Sequence, residues 1–442
     1  LPAATSLFTS LYPYTHGISK RSTDNLLAPD IKTLPEILKK NGFRTAAFTG
    51  GLDYYRGFGH MRGFQITDDN PNFTGFNVTL KQAEEWLAKK PPGRFFLFIH
   101  GYDAHCPFTP PKEFKGRFSG SSGKKAAIDY TKCVRAVRTS TKTYDAFYMG
   151  GCTPFRTSSN CPPVKPVVLT QDDINYLKDL YDEEVLSVDC RIGKFLGSLD
   201  GNILQKTLII ILSEHGEMFA KHGRFGRPGT LRGAFYDDVV HVPLLIRLPE
   251  TAGRRLHGLV ELTDIMPTVL EFLQIHPHQK MQGRSLMPLM VNGRKIHDYV
   301  HTGLAFNLAA PPQKARTKTF SERILGMFKA HDFPSPRMWT RSYTEVIRSL
   351  DWKLLREVDF PDFDKDTSTR TVRKETFELY NMRTDPDEFV DMTDAHPDVA
   401  QKLKIKLDEW VRKSKNFVPY YPSTKKIPDS LLKDAKEHGY WQ

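Results

Sequence analysis

The sequence contains no apolar run that approaches the roughly 18 residues of a membrane-spanning helix, and no secretory signal pattern stands at its start. It also lacks a basic run interleaved with aromatic residues, which argues against nucleic-acid binding. None of its five cysteines has the CxxC spacing of a metal site. These absences disfavour the common membrane-spanning, nucleic-acid-binding and zinc-finger patterns, and they leave a globular chain.

What is present is a chain of 442 residues, of which 39% are hydrophobic and 26% are charged, as in an ordinary globular protein. That length is enough for a substantial core, and it predicts one large α/β domain with an appendage or about two to three smaller domains. The net charge of +12 is spread along the chain. We therefore expect an anionic partner, either a small anionic substrate or a polyanionic glycan.

The cysteines and two possible glycosylation triplets give information on the cellular compartment of the protein. An odd number of cysteines leaves at least one unpaired within the chain, and Cys152 and Cys161, in a Gly/Pro-rich loop, are the predicted disulfide pair. The triplets "NFT" at Asn72 and "NVT" at Asn77 are acceptable glycosylation sites. Together these features favour a secreted, periplasmic or lumenal protein.

Helical segments can be read from caps and periodicity. Thr33 and Glu36 form a capping box at the start of one predicted helix, and Thr79 and Gln82 are expected to open another. Apolar residues recur at helical spacing over residues 172–199, which predicts a long helix with one buried face.

Strands alternate with these helices. Residues 94–100, residues 208–212 and the segment "VPLLIRL" read as strands with nearly continuous apolar residues. Strands that alternate with helices and are apolar on both faces are typical of a parallel sheet covered on both sides. We therefore predict an α/β fold with a large, mostly parallel sheet sandwiched by helices.

The chain divides into two predicted parts. A catalytic α/β domain spans residues 1–293 and contains an insertion loop at about 112–166, which is rich in Gly, Ser, Thr, Lys and Pro. A smaller C-terminal subdomain spans residues 294–442, with antiparallel strands at "WKLLREV" and "TFELYNM". It ends in an amphipathic helix with the apolar residues Val399, Leu403, Leu407 and Trp410.

Candidate catalytic residues follow two of the strands. Glu214 and His215 come directly after strand 208–212, where open α/β sheets carry their chemistry. A carboxylate beside an imidazole can bind one divalent metal, and His222 is then expected to contact the substrate anion. Asp103 and His105 follow strand 94–100 in the same way. Two such loops favour one convergent site over solvated polar loops.

Several motifs resemble those of the sulfatase family of the alkaline-phosphatase-like superfamily. The match runs in order from residue 1 to about residue 411, the insertion excepted, and implies the alkaline-phosphatase-like fold. The motifs are "LPAATSLFTSLYPYTHG", "FLFIHGYDAHCPFTPP", "ILSEHGEMFAKHGRFG", "FYDDVVHVPLLIRLP", "LTDIMPTVLEFLQI", "GRSLMPLM", "WKLL" and "FELYNMRTDPDEFVDM".

The resemblance also implies roles for individual residues. The family's nucleophile, formylglycine in many members, aligns with the position before Leu1, so the polypeptide is expected to extend further and to carry more acidic metal ligands there. Glu214 and His215 are the implied ligands of one divalent metal, for which calcium is the expectation. His105 or His222 is the implied general acid. The implied substrate contacts are Thr9 and Arg232.

Two departures from the family leave the reaction class open. Ala4 stands where formylglycine sulfatases have arginine, and Gly50 stands where they have lysine. The leading hypothesis is hydrolysis of a sulfate ester on an anionic carbohydrate or aryl group. The alternatives are a phosphodiesterase or phosphoethanolamine transferase with a Ser or Thr nucleophile, for which zinc or manganese is expected, and a non-catalytic binder of polyanions.

Overall fold

A computed structural model describes residues 1–18, 26–68, 74–119, 134–137, 146–149, 168–223, 225–226, 235–276, 279–303, 342–359 and 374–419. The helices are α1 (Pro2–Thr9), α2 (Pro13–His16), α3 (Leu34–Lys40), α4 (Phe76–Ala88), α5 (Gln171–Ser198), α6 (Gly201–Gln205), α7 (Asp237–Val240), α8 (Ile265–Phe272), α9 (Met287–Asn292) and α10 (Pro397–Lys415). The strands are β1 (Arg44–Thr49), β2 (Ile66–Thr67), β3 (Phe95–His100), β4 (Val134–Val137), β5 (Ala146–Met149), β6 (Ile209–Leu212), β7 (Met218–Phe219), β8 (Phe225–Gly226), β9 (Leu244–Arg247), β10 (Val300–Gly303), β11 (Ser342–Arg348), β12 (Trp352–Asp359) and β13 (Lys374–Asn381).

The central strands form a parallel sheet in the order β2, β1, β3. β1 and β3 pair along their whole lengths, from Arg44 opposite Phe95 to Thr49 opposite His100. β6 and β9 form a separate antiparallel pair. Their side chains Ile210 and Ile246 lie in the hydrophobic core that also contains Phe96 and Phe98 of β3. The strand predicted from "VPLLIRL" therefore exists, and it runs opposite to its neighbour.

Both faces of the parallel sheet are covered by helices, as predicted. On one face, Phe96 and Phe98 of β3 pack in a core with α1, α3, α8 and α9. On the other face, Leu97 and Ile99 pack against α4 and α5, where Trp86 is among the buried contacts. Alternate residues of β3 thus enter opposite cores, which explains why the strand is apolar throughout.

The predicted start of α4 is wrong by several residues. The helix begins at Phe76 rather than at Thr79, and its N-cap residue, Gly75, provides no side-chain cap. The Oδ2 atom of Asp103 instead accepts the Phe76 backbone N–H at 2.6 Å. A carboxylate from a distant loop therefore caps this helix, which local sequence does not reveal. The other predicted start is confirmed, since Thr33 and Glu36 form a capping box.

The C-terminal part contains the predicted antiparallel strands and final helix. β10, β11, β12 and β13 form a four-stranded antiparallel sheet. One face packs on α10 through Leu354, Leu407 and their neighbours. The other face packs on the segment that follows β6, with Leu355 in contact with a cluster that includes Tyr236. The boundary between residues 293 and 294 stays a prediction.

The insertion contains one antiparallel pair, β4 with β5. The predicted partners Cys152 and Cys161 lie outside the described residues. Cys106 is in a disulfide and Cys190 is free. Among the helices of the described residues, none is both long enough and apolar enough to span a membrane.

Candidate active site

The ends of β3 and β6 bring three polar side chains together. β3 ends at His100, and Glu214 and His215 follow β6. Oε1 of Glu214 lies 3.6 Å from Nε2 of His100 and 3.9 Å from Nε2 of His215. A carboxylate oxygen and two imidazole nitrogens therefore meet at one point beyond the strand ends.

In each histidine, the hydrogen bond of Nδ1 orients the ring so that Nε2 faces Glu214. Nδ1 of His100 lies 3.1 Å from the Gly50 carbonyl oxygen, and Nδ1 of His215 lies 2.9 Å from the Gly216 carbonyl oxygen. A carbonyl oxygen only accepts, so each Nδ1 carries the hydrogen. In the neutral rings, each Nε2 then directs a lone pair toward Glu214. Three lone pairs that converge require a cation, which is either a proton on a ring or a metal ion.

Glu214 is the anionic member of this group. Burial alone raises its pKa, but hydrogen bonding and positive charge from His100, together with charge from His215, hold the pKa well below the usual range of a glutamate. With the rings protonated, the carboxylate is consequently ionised. A divalent metal ion that displaced the two ring protons would take their place between the carboxylate and the two nitrogens.

The first residue of the chain lies beside the loop that follows β1. The backbone nitrogen of Leu1 is 3.2 Å from Oδ1 of Asp53, and the hydroxyl of Tyr102 donates to Oδ2 of Asp53 at 3.3 Å. The ring of Tyr54 lies 4.3 Å from the ring of His100. The amino end of α1 and the three-residue group at Glu214 are thus linked through this loop.

His105 lies on the loop after β3 and is partly exposed. Its Nδ1 is 2.6 Å from the Cys106 carbonyl oxygen, so Nδ1 carries the hydrogen. Its ring lies 5.0 Å from that of Tyr102. Asp103, predicted to act beside it, caps α4 instead.

His222 lies in the loop after β7 in a left-handed conformation, with a φ of 53°. Its ring stacks on Tyr236 at 3.9 Å and lies 5.2 Å from Phe389. The two histidine loops meet through their aromatic residues, because Phe108 and Phe219 have ring centroids 5.5 Å apart. That the two histidines face one pocket stays a prediction.

The structure gives no support to the other predicted substrate contacts. Thr9 is completely buried, and its hydroxyl donates to the Thr5 carbonyl at 2.7 Å, so its placement gives no support to substrate contact. Arg232 lies outside the described residues. At Gly50, a Cβ atom would lie 2.0 Å from the Thr74 carbonyl oxygen, so the backbone leaves no room for the family's lysine.

Sequence reasoning missed His100 and Asp53. A histidine that ends a run of apolar strand residues was a usable signal for His100, because that position opens onto the catalytic edge of the sheet. Nothing local distinguishes Asp53, which becomes notable only through its contacts with Leu1 and Tyr102.

A second group of possible ligands is already satisfied by the protein. Glu261, Asp264 and His297 bring three ligand atoms within 4.8 Å of one another. However, the Glu261 oxygens accept from the Tyr12 hydroxyl and the His301 N–H. Both oxygens of Asp264 lie within hydrogen-bond distance of His297 and also accept backbone N–H groups. This group is therefore a structural network rather than a metal site.

Comparisons with known proteins give the family and the fold. A family model described as Sulfatase matches residues 2–275. Arylsulfatase K of Mus musculus is 24% identical, with 100% of this chain and 78% of that protein covered. The structure of BT4656 in complex with its substrate D-glucosamine-2-N,6-O-disulfate has a TM-score of 0.62 at 18% identity, and covers 95% of this chain and 89% of that one. The phosphonate monoester hydrolase of Agrobacterium radiobacter has a TM-score of 0.62 at 18% identity, and covers 93% and 86%. These likenesses confirm the predicted fold class.

Proposed function

Since the chain belongs to the sulfatase family, we propose that it hydrolyses a sulfate ester carried by an anionic carbohydrate or an aryl alcohol. Its family and its arylsulfatase relatives make it a sulfuric ester hydrolase. The observation that carries the proposed site is the meeting of the Glu214 carboxylate with Nε2 of His100 and of His215. The net charge of +12 supports an anionic substrate.

Glu214 and His215, with His100 beside them, are the proposed ligands of one divalent metal ion. When bound, such an ion supplies Lewis-acid stabilisation of the charge that develops on the ester oxygens. Calcium is the proposed ion, while the imidazole nitrogens also suit zinc or manganese. Formylglycine is the proposed nucleophile at the position before Leu1.

His105 is the proposed general acid. Because its Nδ1–H is donated to the Cys106 carbonyl, the proton for the leaving oxygen is the one that Nε2 carries in the imidazolium form of the ring. His222 is the second candidate, and its Nε2 lies 3.3 Å from the Asp387 carbonyl oxygen. Arg232 is kept as a proposed substrate contact.

Charge favours a sulfate monoester over a phosphate monoester. A sulfate monoester carries one negative charge, whereas a phosphate monoester carries about two near neutral pH. Ala4 and Gly50 each stand where the family has a cation. A pocket with two cations fewer should bind the singly charged group better.

The test is an assay of the complete protein, including the residue before Leu1, with 4-nitrophenyl sulfate, 4-nitrophenyl phosphate, bis(4-nitrophenyl) phosphate and a phosphoethanolamine donor. We expect hydrolysis of the sulfate and weaker hydrolysis of the phosphate monoester. Preference for the phosphate monoester would contradict the charge argument. Activity on only bis(4-nitrophenyl) phosphate and the phosphoethanolamine donor would show that the enzyme transfers phosphoryl groups instead.

We also propose that residues 1–293 form the catalytic domain and residues 294–442 a C-terminal subdomain, in line with the separate four-stranded sheet. A secreted, periplasmic or lumenal location is proposed, since the disulfide at Cys106 suits an oxidising compartment. Asn77 is exposed on α4 and remains a proposed glycosylation site.

A further inference from the structure

Helix α5 carries two consecutive glutamates that point into the protein. Glu183 is 0% exposed and Glu184 is 7% exposed. Buried carboxylates are costly unless hydrogen bonds compensate them. Both side chains accept backbone N–H groups, and they accept them from different stretches of chain.

Glu184 holds the loop that carries His105. Its Oε1 accepts the Thr109 backbone N–H at 2.6 Å. Thr109 lies four residues after His105, and Ala104 directly precedes it. Ala104 has a φ of 62°, a left-handed conformation that is unusual for alanine and that persists only where surrounding contacts fix it.

Apolar contacts attach the same loop to the same helix. Phe108 is 3% exposed and packs in a cluster with Leu177 and Leu180 of α5. Its ring also lies 5.5 Å from that of Tyr181. Glu184 and Phe108 thus fix the loop through one polar contact and one apolar contact.

We propose that Glu184 is a positioning residue, which fixes the loop after β3 so that Nε2 of His105 faces the leaving oxygen of the ester. The proposal rests on the proposed function, in which His105 is the general acid. Burial of Glu184 limits loop motion, since release of the Thr109 N–H would leave the buried Oε1 of Glu184 without a partner.

Glu183 offers a matched control in the same turn of α5. Its Oε1 accepts the backbone N–H groups of Phe118 and Ser119, both at 3.0 Å, and the Ser119 hydroxyl at 2.9 Å. Glu183 is therefore buried and hydrogen-bonded to the backbone, as Glu184 is, but the residues that it holds do not flank His105. Glu183→Ala thus shows what a loss of stability does to kcat when the loop of His105 keeps its contacts.

The first measurement compares Glu184→Ala with Glu183→Ala for thermal stability and for kcat and KM on 4-nitrophenyl sulfate. We expect both to lose stability, and only Glu184→Ala to lose about 10- to 100-fold in kcat with KM nearly unchanged, the size of a loss caused by misplacing a catalytic group. Equal kcat losses in the two variants would overturn the proposal.

Glu184→Gln tests the mechanism in a variant that keeps the shape of the side chain. Burial raises the pKa of Glu184 to about 7, against the hydrogen bond from Thr109, so the neutral form is well populated near neutral pH. The amide oxygen can still accept the Thr109 N–H, and we expect kcat to recover to within a few-fold of the wild type. A loss as large as that of Glu184→Ala would exclude positioning through the backbone.

A double-mutant cycle with His105→Ala separates this proposal from the proposed function. If Glu184 acts through His105, adding Glu184→Ala to His105→Ala should not lower kcat further. Additive losses would overturn the role of Glu184 while leaving His105 catalytic. Full activity in His105→Ala would overturn both.

Discussion

Two histidine side chains at the strand ends direct Nε2 at one carboxylate oxygen, and this direction follows from their hydrogen bonds to backbone carbonyls. Because the Gly50 and Gly216 carbonyls hold each Nδ1–H, the rings of His100 and His215 cannot turn away from Glu214 without losing a hydrogen bond. The proposed ligands are therefore held in place by the protein itself.

The metal content of the protein is the first test of these side chains. The complete protein should bind about one divalent ion per chain, and the double change Glu214→Ala with His215→Ala should reduce this to background, because both proposed ligands are lost. Elemental analysis of the purified proteins measures the content and identifies calcium, zinc or manganese.

Glu217→Ala provides the control, since it removes another acid of the same loop that lies outside the three-residue group. Its metal content should equal that of the wild type. Unchanged metal content in the double variant would sink the ligand assignment.

His105 is tested by its effect on turnover. His105→Ala should lower kcat by ~10²-fold or more if Nε2 supplies the proton to the leaving oxygen. Folding should be little affected, because the side chain is partly exposed. His257→Ala, an exposed histidine, is the control. Wild-type kcat in His105→Ala would make this histidine structural.

Between elements, the most consequential contact is a buried lysine on β12. Lys353 is fully buried, and its Nζ lies 2.8 Å from Asp237 at the start of α7 and 2.6 Å from Glu388 in the turn after β13. It therefore ties the C-terminal sheet to the segment between β8 and β9. Arg348 also pairs with Asp237 at 3.2 Å, so two cations face these two carboxylates.

Lys353→Met should lower the free energy of unfolding by ~3–5 kcal/mol, since it leaves Glu388 buried without its cation and leaves Asp237 paired with Arg348 alone. Chemical denaturation measures the change. Lys406→Met, which removes an exposed pair with Glu409 on α10, should cost about 1 kcal/mol or less. Similar losses of unfolding free energy in the two variants would show that Lys353 does not stabilise the contact between the C-terminal sheet and α7.

Across the whole molecule, Glu261 joins segments that are far apart in sequence. Its carboxylate accepts from the Tyr12 hydroxyl near the start of the chain and from the His301 N–H on β10. Burial raises the pKa of Glu261 to about 7, and the charge of Asp264 adds to this. The folded protein thus holds this proton more tightly than the unfolded chain.

Stability should consequently depend on pH through Glu261. A raised pKa contributes stability that is fully present below the ordinary value of 4.5 and is lost as the pH rises through about 7. Glu261→Gln cannot ionise, so the wild type should lose stability relative to this variant between about pH 5 and pH 8. Thermal unfolding across that range measures the difference, and a constant difference would rule out the titration of Glu261.

Much of the fold could be predicted, because local patterns carry it. The capping box at Thr33, the long helix α5 and the apolar strand β3 each follow from short-range propensity and periodicity, and the structure has all three. The ordered motifs also identified the family. Glu214 and His215 were found in the same way, since a strand end can be read from the chain.

Contacts between distant segments decided the remainder. The start of α4 depends on Asp103, which is remote in sequence, and no local rule gives that contact. His100 becomes a candidate site residue only because β6 places Glu214 beside it. Thr9 is no longer supported as a substrate contact, because it is buried in α1. In the sequence, Glu184 is indistinguishable from the other polar residues of its helix. Its role appears only in the folded chain, where it accepts the Thr109 N–H from the loop of His105. Periodicity reports which face of an element is buried, whereas the partner of a buried polar atom is set by the packing of the whole chain.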